Sequence, residues 1–171
     1  MKELSKTQKI TISALAMAMY VVIMIFTQSF AFGQYQVRLA TAIYGLSALF
    51  PFLIIPLGIA NCLSNTIMGG LGPLDMLGGG CVGILTCSLI VLAKRHNLSN
   101  LFIVVIITLV PGLGVATWLS YLLHIPYSVL ALSLVIGQFF PGIVGAVAVT
   151  ALEKRYNKEN QIQKEVANNA N

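Results

Sequence analysis

The sequence predicts an all-α membrane protein of six transmembrane helices, and three observations predict it. Charge is absent from four long runs, 10–37, 39–74, 76–93 and 96–152. At roughly 20 apolar residues per crossing, those runs have room for five or six spans. Only 9% of the residues are charged while 57% are hydrophobic, whereas about a quarter of an ordinary soluble domain is charged. Finally, nine of the ten Lys and Arg residues sit where one side of a membrane would be: Lys2, Lys6 and Lys9 before the first span, Lys94 and Arg95 in a short loop, and Lys154, Arg155, Lys158 and Lys164 after the last. That is the positive-inside pattern; it places both termini in the cytoplasm and requires an even number of spans. It also assigns the net charge of +5 to topology, so no nucleic-acid partner is expected.

Residues 1–9 are expected to form a basic cytoplasmic leader, followed by one compact six-helix domain over 10–153 and a polar cytoplasmic tail, 154–171, without fixed structure. The first helix is expected over Ile10–Ser29; it is too long for a cleaved signal peptide and lacks a small-residue cleavage site. Its Ala14 and Ala18, one turn apart, let another helix backbone approach closely, either within the chain or from a partner. Phe30–Val37 reads as an external loop in which Gln34, Tyr35 and Gln36 gather polar groups beside Arg38. Arg38 either snorkels to lipid phosphate or serves a site there.

Leu39–Phe52 and Leu53–Met68 are expected as two short helices, because one helix over 39–68 would be about 45 Å long. Pro51 and Pro56 supply the break. This charge-free run still carries Thr41, Tyr44, Ser47, Asn61, Ser64, Asn65 and Thr66, and hydrocarbon tolerates such groups only when they face protein or a cavity. Asn61 and Asn65 are four apart and share a helix face, to bond a neighbouring helix or to read a ligand's base-like edge. A glycine-rich loop, 69–75, leads to Asp75, the only acidic residue between Glu3 and Glu153. Asp75 either caps the next helix or meets Arg38 or a donor-rich substrate.

The fourth helix is expected over Met76–Ala93 and the fifth over Leu98–Leu123, kinked or unwound at Pro111–Gly114. Trp118 and Tyr121 suit an interfacial aromatic belt, or stacking on a planar ligand. The sixth, Tyr127–Leu152, carries Gln138 at mid-depth, where an amide must bond something. His124 has no His or Cys companion at ligand spacing, and Cys62, Cys81 and Cys87 form no metal or disulfide pattern, so neither metal nor cofactor is expected. The cysteines are expected as small buried hydrophobes. Catalytic arrangements are missing too: a single membrane Asp cannot supply both an acid and a base, and no phosphate loop is present. An enzyme is therefore not expected, and any uphill transport would draw energy from a partner, since no mid-membrane carboxylate offers ion coupling.

Three segments carry a family resemblance: Gln36-Val37-Arg38-Leu39 with Ala42 following Ala40, then Pro56–Asn65, then Gly69-Gly70-Leu71-Gly72-Pro73-Leu74-Asp75. With them, residues 10–153 resemble a substrate-binding S component of an energy-coupling factor (ECF) transporter, of the queuosine-precursor (QueT) family. The resemblance implies an S-component-like six-helix bundle with an external pocket gated by the loop between helices one and two. It also implies that Ala14 and Ala18 contact the transmembrane coupling subunit (EcfT), that two separate ATPase subunits hydrolyse ATP, and that the S component topples to release its ligand inside. On that footing Asp75 or the Asn61/Asn65 pair reads a guanine-like edge, and Tyr35, Gln36 and Arg38 close the pocket. Trp118 is the candidate stacking partner. The chain departs from the family pattern at Ala40 (usually Ser), Thr41 (usually Glu) and Gln138 (a Glu in the sixth helix). Losing two carboxylates fits a neutral base, a nitrile form or a nucleoside better than a cationic amine. An S component for a different vitamin-like solute, and a membrane scaffold subunit without a solute, are the competing readings.

Overall fold

In this structure, a computed structural model, residues 4–31, 36–68 and 71–169 are described, with backbone alone at 160 and 162–169. Helix α1 spans Lys6–Phe26. It begins four residues before the expected start because Ser5 and Gln8 form a capping box: Gln8 N donates to Ser5 Oγ at 3.2 Å and Ser5 N to Gln8 Oε1 at 2.9 Å, satisfying two otherwise orphaned donors. A single turn, α2 (Gln28–Ala31), follows.

The next segment, Leu39–Ala48, is a 3₁₀ helix of 10 residues, η1, well beyond the three or four residues such helices usually reach. Its hydroxyls suit the tighter winding, since Thr41 Oγ1 lies 2.7 Å from Arg38 O and Ser47 Oγ donates to Tyr44 O at 2.7 Å, both three residues back. At about 2.0 Å per residue η1 covers roughly 20 Å, where an α-helix of equal length would cover about 15 Å. Pro51 opens a short turn, η2 (Pro51–Leu53), and α3 runs Ile54–Ile67. The break therefore falls at Pro51 alone. Pro56 lies in the first turn of α3, where a missing N–H costs no helical hydrogen bond.

Helix α4 spans Pro73–Arg95, α5 Leu101–Leu123 and α6 Tyr127–Asn169. Asp75 thus belongs to the first turn of α4 and not to the preceding loop. Asn97 and His124, both at φ 56°, turn the chain after α4 and α5. Helix α5 is continuous through Pro111, which together with Gly112 is buried. Beyond Leu152 the backbone stays helical to Asn169, although the tail was expected to lack fixed structure.

Helices α3, α4, α5 and α6 pack in sequence, α1 lies against α3 and η1, and η1 touches α1, α3, α4, α5 and α6. That central seat needs close backbone approach: a Cβ on Gly45 would stand 3.0 Å from Gly145 O, and one on Gly145 would stand 2.8 Å from Ala42 O. Around η1 the core gathers Tyr20, Met24, Tyr44, Leu53, Leu57, Ile90, Ile107 and Val149, while Val82, Val115, Leu119, Leu130 and Leu134 form a second cluster between α4, α5 and α6. Cys87 is buried, Cys62 half-buried and Cys81 exposed, so the expectation of three buried cysteines holds for one.

Large apolar side chains cover the outside, Phe26, Leu77, Leu132 and Val147 among them. Such a surface is suited to lipid, not water. Four helices among the described residues are long and apolar enough to cross a membrane: Lys6–Phe26, Pro73–Arg95, Leu101–Leu123 and the Tyr127–Glu159 part of α6. Leu39–Ala48 and Pro51–Ile67 are apolar but shorter, so length and composition support four candidate crossings and the expected count of six is not confirmed by them. At the basic end a polar clasp joins three helices. Lys94 Nζ meets Glu153 Oε1 at 2.8 Å and Asn100 Oδ1 at 2.7 Å, and Asn100 Nδ2 donates to Glu153 Oε2 and Thr150 Oγ1.

Candidate functional site

The end of the bundle opposite the clasp holds most of the buried polarity. Asn61 and Asn65 project from one face of α3 towards α4, 4% and 0% exposed. They reach α4 because position 79 has no side chain: a Cβ on Gly79 would stand 2.6 Å from Asn65 Nδ2 and 3.3 Å from Asn61 Oδ1. Asn61 Nδ2 donates to Gly79 O at 2.7 Å and to Tyr44 Oη at 2.8 Å, and its Oδ1 accepts from Arg38 Nη1 at 3.3 Å. One turn further out, Asn65 Nδ2 donates to the backbone oxygen of Asp75 at 3.1 Å. Asn65 Oδ1 is buried with no hydrogen-bond partner among the described residues.

Asp75 is almost fully buried. Its Oδ1 accepts from Trp118 Nε1 at 3.0 Å and its Oδ2 from Leu71 N at 3.4 Å. Position in the first helical turn also favours a negative charge there. Trp118 therefore acts here as a donor to a carboxylate, with its indole lying over Gly78, and not as an isolated belt residue; Tyr121, largely exposed, keeps the belt position.

On the other wall Thr41 Oγ1 lies 2.8 Å from Gln138 Oε1 as well as 2.7 Å from Arg38 O. A hydroxyl has one proton to give, so it serves one of these oxygens; the Gln138 amide turned by 180° would offer its NH2 to Thr41 and satisfy both. The contact joins residues 97 apart in the chain, through η1 and α6.

Arg38, Gln36, Thr41, Tyr44, Asn61 and Gln138 enclose a small cavity together with Val82, Pro111, Val115 and Leu134. Its volume is about 10 Å³, room for roughly one water. The open, amide-lined pocket expected between Arg38 and Asp75 is thus replaced by a closed one, filled by the protein's own side chains. Arg38 and Asp75 are held by successive turns of α3, through Asn61 and Asn65, and only Arg38 lines the cavity. Gln36 reaches it from a left-handed backbone conformation, φ 42°, uncommon for a residue with a side chain. Tyr35 lies outside the described residues, as do Gly69 and Gly70.

Two tyrosines extend the network: Tyr44, noted in the sequence as one hydroxyl of the charge-free run, and Tyr20, which was not singled out. Tyr44 Oη lies 3.2 Å from Tyr20 Oη, and their rings stack with centroids 5.6 Å apart. Both are fully buried. The available signal was the hydroxyl of Tyr44 inside a charge-free run, three residues after Thr41. Ala14 and Ala18 are exposed on α1 while Ala16 between them is buried. No group of three or more His, Cys, Asp or Glu side chains able to hold a metal occurs among the described residues.

Apolar exterior, buried amides and one interior carboxylate define a small polytopic helical membrane protein with a polar chamber near one end. The family model described as QueT transporter matches residues 10–154. The chain belongs to the QueT transporter family, the S-component family that its Arg38 and Asp75 segments resemble. That is a family of transporters and not of enzymes. No curated protein and no solved structure matches the chain.

Proposed function

We propose that this protein is the substrate-capture subunit of an ATP-driven ECF importer, binding a queuosine precursor (queuine or another 7-deazaguanine) from outside the cell. Asn65 Oδ1 is the observation that carries the reading. A buried acceptor without a donor costs about 1–3 kcal/mol, and this one belongs to a side chain whose amide nitrogen donates to the Asp75 backbone oxygen, in a family of transporters. Together the two residues offer acceptors to the donor-rich edge of a guanine-like ring. Asn61, Thr41 and Gln138 line the deeper part, Trp118 holds Asp75 in place, and Arg38, Gln36 and Tyr35 close the entrance. Drug-sized ligands occupy pockets of about 300–1,000 Å³, so capture displaces the entrance side chains from the closed arrangement described above.

Six crossings, with η1 and α3 forming the second and third, would put both termini in the cytoplasm. The exposed Ala14–Ala18 face of α1 supplies a close-packing surface for the transmembrane coupling subunit, and two ATPase subunits drive toppling and inward release. The test is native mass spectrometry of the purified chain together with calorimetric titration of 7-deazaguanines. A co-purified or titrated deazaguanine is expected, and Asp75→Ala and Asn65→Ala should each abolish its binding while the protein still unfolds cooperatively. A different bound vitamin would reassign the solute, and unchanged affinity in both variants would remove these residues from the site.

A further inference from the structure

The basic end of the bundle, away from the polar chamber, carries a groove between α5 and α6 with a volume of about 490 Å³. Leu101 and Val104 of α5 and Ile143 and Val147 of α6 form its walls. Three small residues, Ala146, Thr150 and Ala151, leave the space between them. Its deep end lies where the two helices meet backbone to backbone: a Cβ on Gly142 would stand 3.0 Å from Val104 O. From Ile143 to Lys154 the lining covers about 16 Å of helix. Half of a hydrocarbon core of about 30 Å is roughly 15 Å, so the groove has the depth of one leaflet.

Lys154 stands exposed at the mouth of this groove. No ion pair or hydrogen bond among the described residues engages its ammonium. The nearby carboxylates are held by other partners: Glu153 by Lys94 at 2.8 Å and by Asn100, and Glu159 by Arg155 at 3.4 Å. Lys158, also exposed, follows four residues later on the same helix face. The mouth is therefore cationic and the slot beneath it apolar, which is the complement of a phospholipid bearing net negative charge. We infer that the groove seats one anionic phospholipid, its phosphate at Lys154 and Lys158 and one acyl chain along the walls. A helix from a partner fits less well, since a cylinder about 16 Å long and 10 Å across fills roughly 1,200 Å³. A lysine near an anionic lipid strengthens attachment about fivefold. The inference depends on the membrane setting and not on which solute the chamber takes.

Native mass spectrometry of the full chain in detergent, titrated with phosphatidylglycerol (anionic) or phosphatidylcholine (zwitterionic) of matched acyl chains, tests this. The first phosphatidylglycerol should bind at least about fivefold more tightly than phosphatidylcholine. Lys154→Gln should lower phosphatidylglycerol affinity about fivefold and leave phosphatidylcholine unchanged. The matched control is Lys9→Gln, which removes the same charge from α1, a helix packed on α3 and η1; its affinities should equal those of the wild type. Val147→Trp, which enlarges an exposed wall residue, should weaken both lipids. Equal binding of the two lipids by the wild-type chain overturns the inference, and that comparison needs no variant. Equal losses in Lys154→Gln and Lys9→Gln show diffuse attraction to a basic surface and overturn the site. Undiminished binding in Val147→Trp overturns the seat of the acyl chain.

Discussion

Replacing Gly145 by Ala adds one methyl group where η1 and α6 meet backbone to backbone. The new Cβ would stand 2.8 Å from Ala42 O, 3.2 Å from Ile107 Cδ1 and 3.4 Å from Ala42 Cα. Ile107 can turn its terminal methyl aside, but a carbonyl oxygen in a wound segment cannot move without its helix. η1 must therefore back away from α6 by about half an ångström, and gaps of 0.5–1 Å forfeit roughly a quarter to a half of each contact's attraction. Overpacking of this kind costs about 1–3 kcal/mol; the upper end applies because the obstruction is backbone. Alanine returns about 1 kcal/mol through its better helix propensity. The net loss is about 2 kcal/mol, or a fall in Tm of about 4–8 °C for a chain of this size. Gly114→Ala is the matched control, since its Cβ would meet only the tip of Val82, at 3.1 Å, and its Tm should stay level or rise. Thermal unfolding of both variants in one detergent reads the difference. Equal Tm values for Gly145→Ala and wild type would refute the claim that η1 is seated by backbone contact with α6.

Tyr20→Phe removes the hydroxyl facing Tyr44 but leaves Tyr44 bonded to Asn61; it should cost about 1 kcal/mol, seen as a small fall in Tm with ligand affinity unchanged. Trp118→Phe keeps a ring over Gly78 while depriving buried Asp75 of its shorter bond, which for a charged acceptor is worth about 1.5–3 kcal/mol; calorimetry should record weaker ligand binding alongside a lower Tm. Lys94→Met leaves Glu153 with Asn100 only, and because the pair is partly exposed the loss should be about 1 kcal/mol or less. Melting at high salt, where screening already weakens the pair, should show a smaller difference from wild type. Ala18→Leu should abolish uptake in reconstituted vesicles carrying the coupling module and leave solute binding by the isolated chain intact.

The long spans were legible because hydrocarbon excludes charge, which makes a run such as 96–152 conspicuous in any composition. The early start of α1 and the length of α6 were read otherwise, with helix one from Ile10 and helix six to Leu152, although signals for both stood in the sequence: Ser5 and Gln8 at capping-box spacing, and no Gly or Pro after Gly145. The winding of η1 was not legible. The segment is mostly apolar, so it shows no polar stripe by which a period of 3.0 could be told from one of 3.6, and the choice is made by neighbours distant in sequence, Gly145 above all. Likewise, Asn61 and Asn65 could be assigned to one face from their spacing, but nothing local says that Gly79 receives both. Closure of the cavity depends on how Thr41 meets Gln138, and on Arg38 bonding Asn61. Those contacts arise only once five helices have gathered around η1.

The tight winding of Leu39–Ala48 also stores reach. Relaxing that segment from 3₁₀ to α geometry would shorten it by about 0.5 Å per residue, roughly 5 Å over its 10 residues. Arg38, the residue just before it, would be reeled in or paid out by that amount. Under the function proposed above, a stroke of that size would shift Arg38 relative to the cavity that it lines.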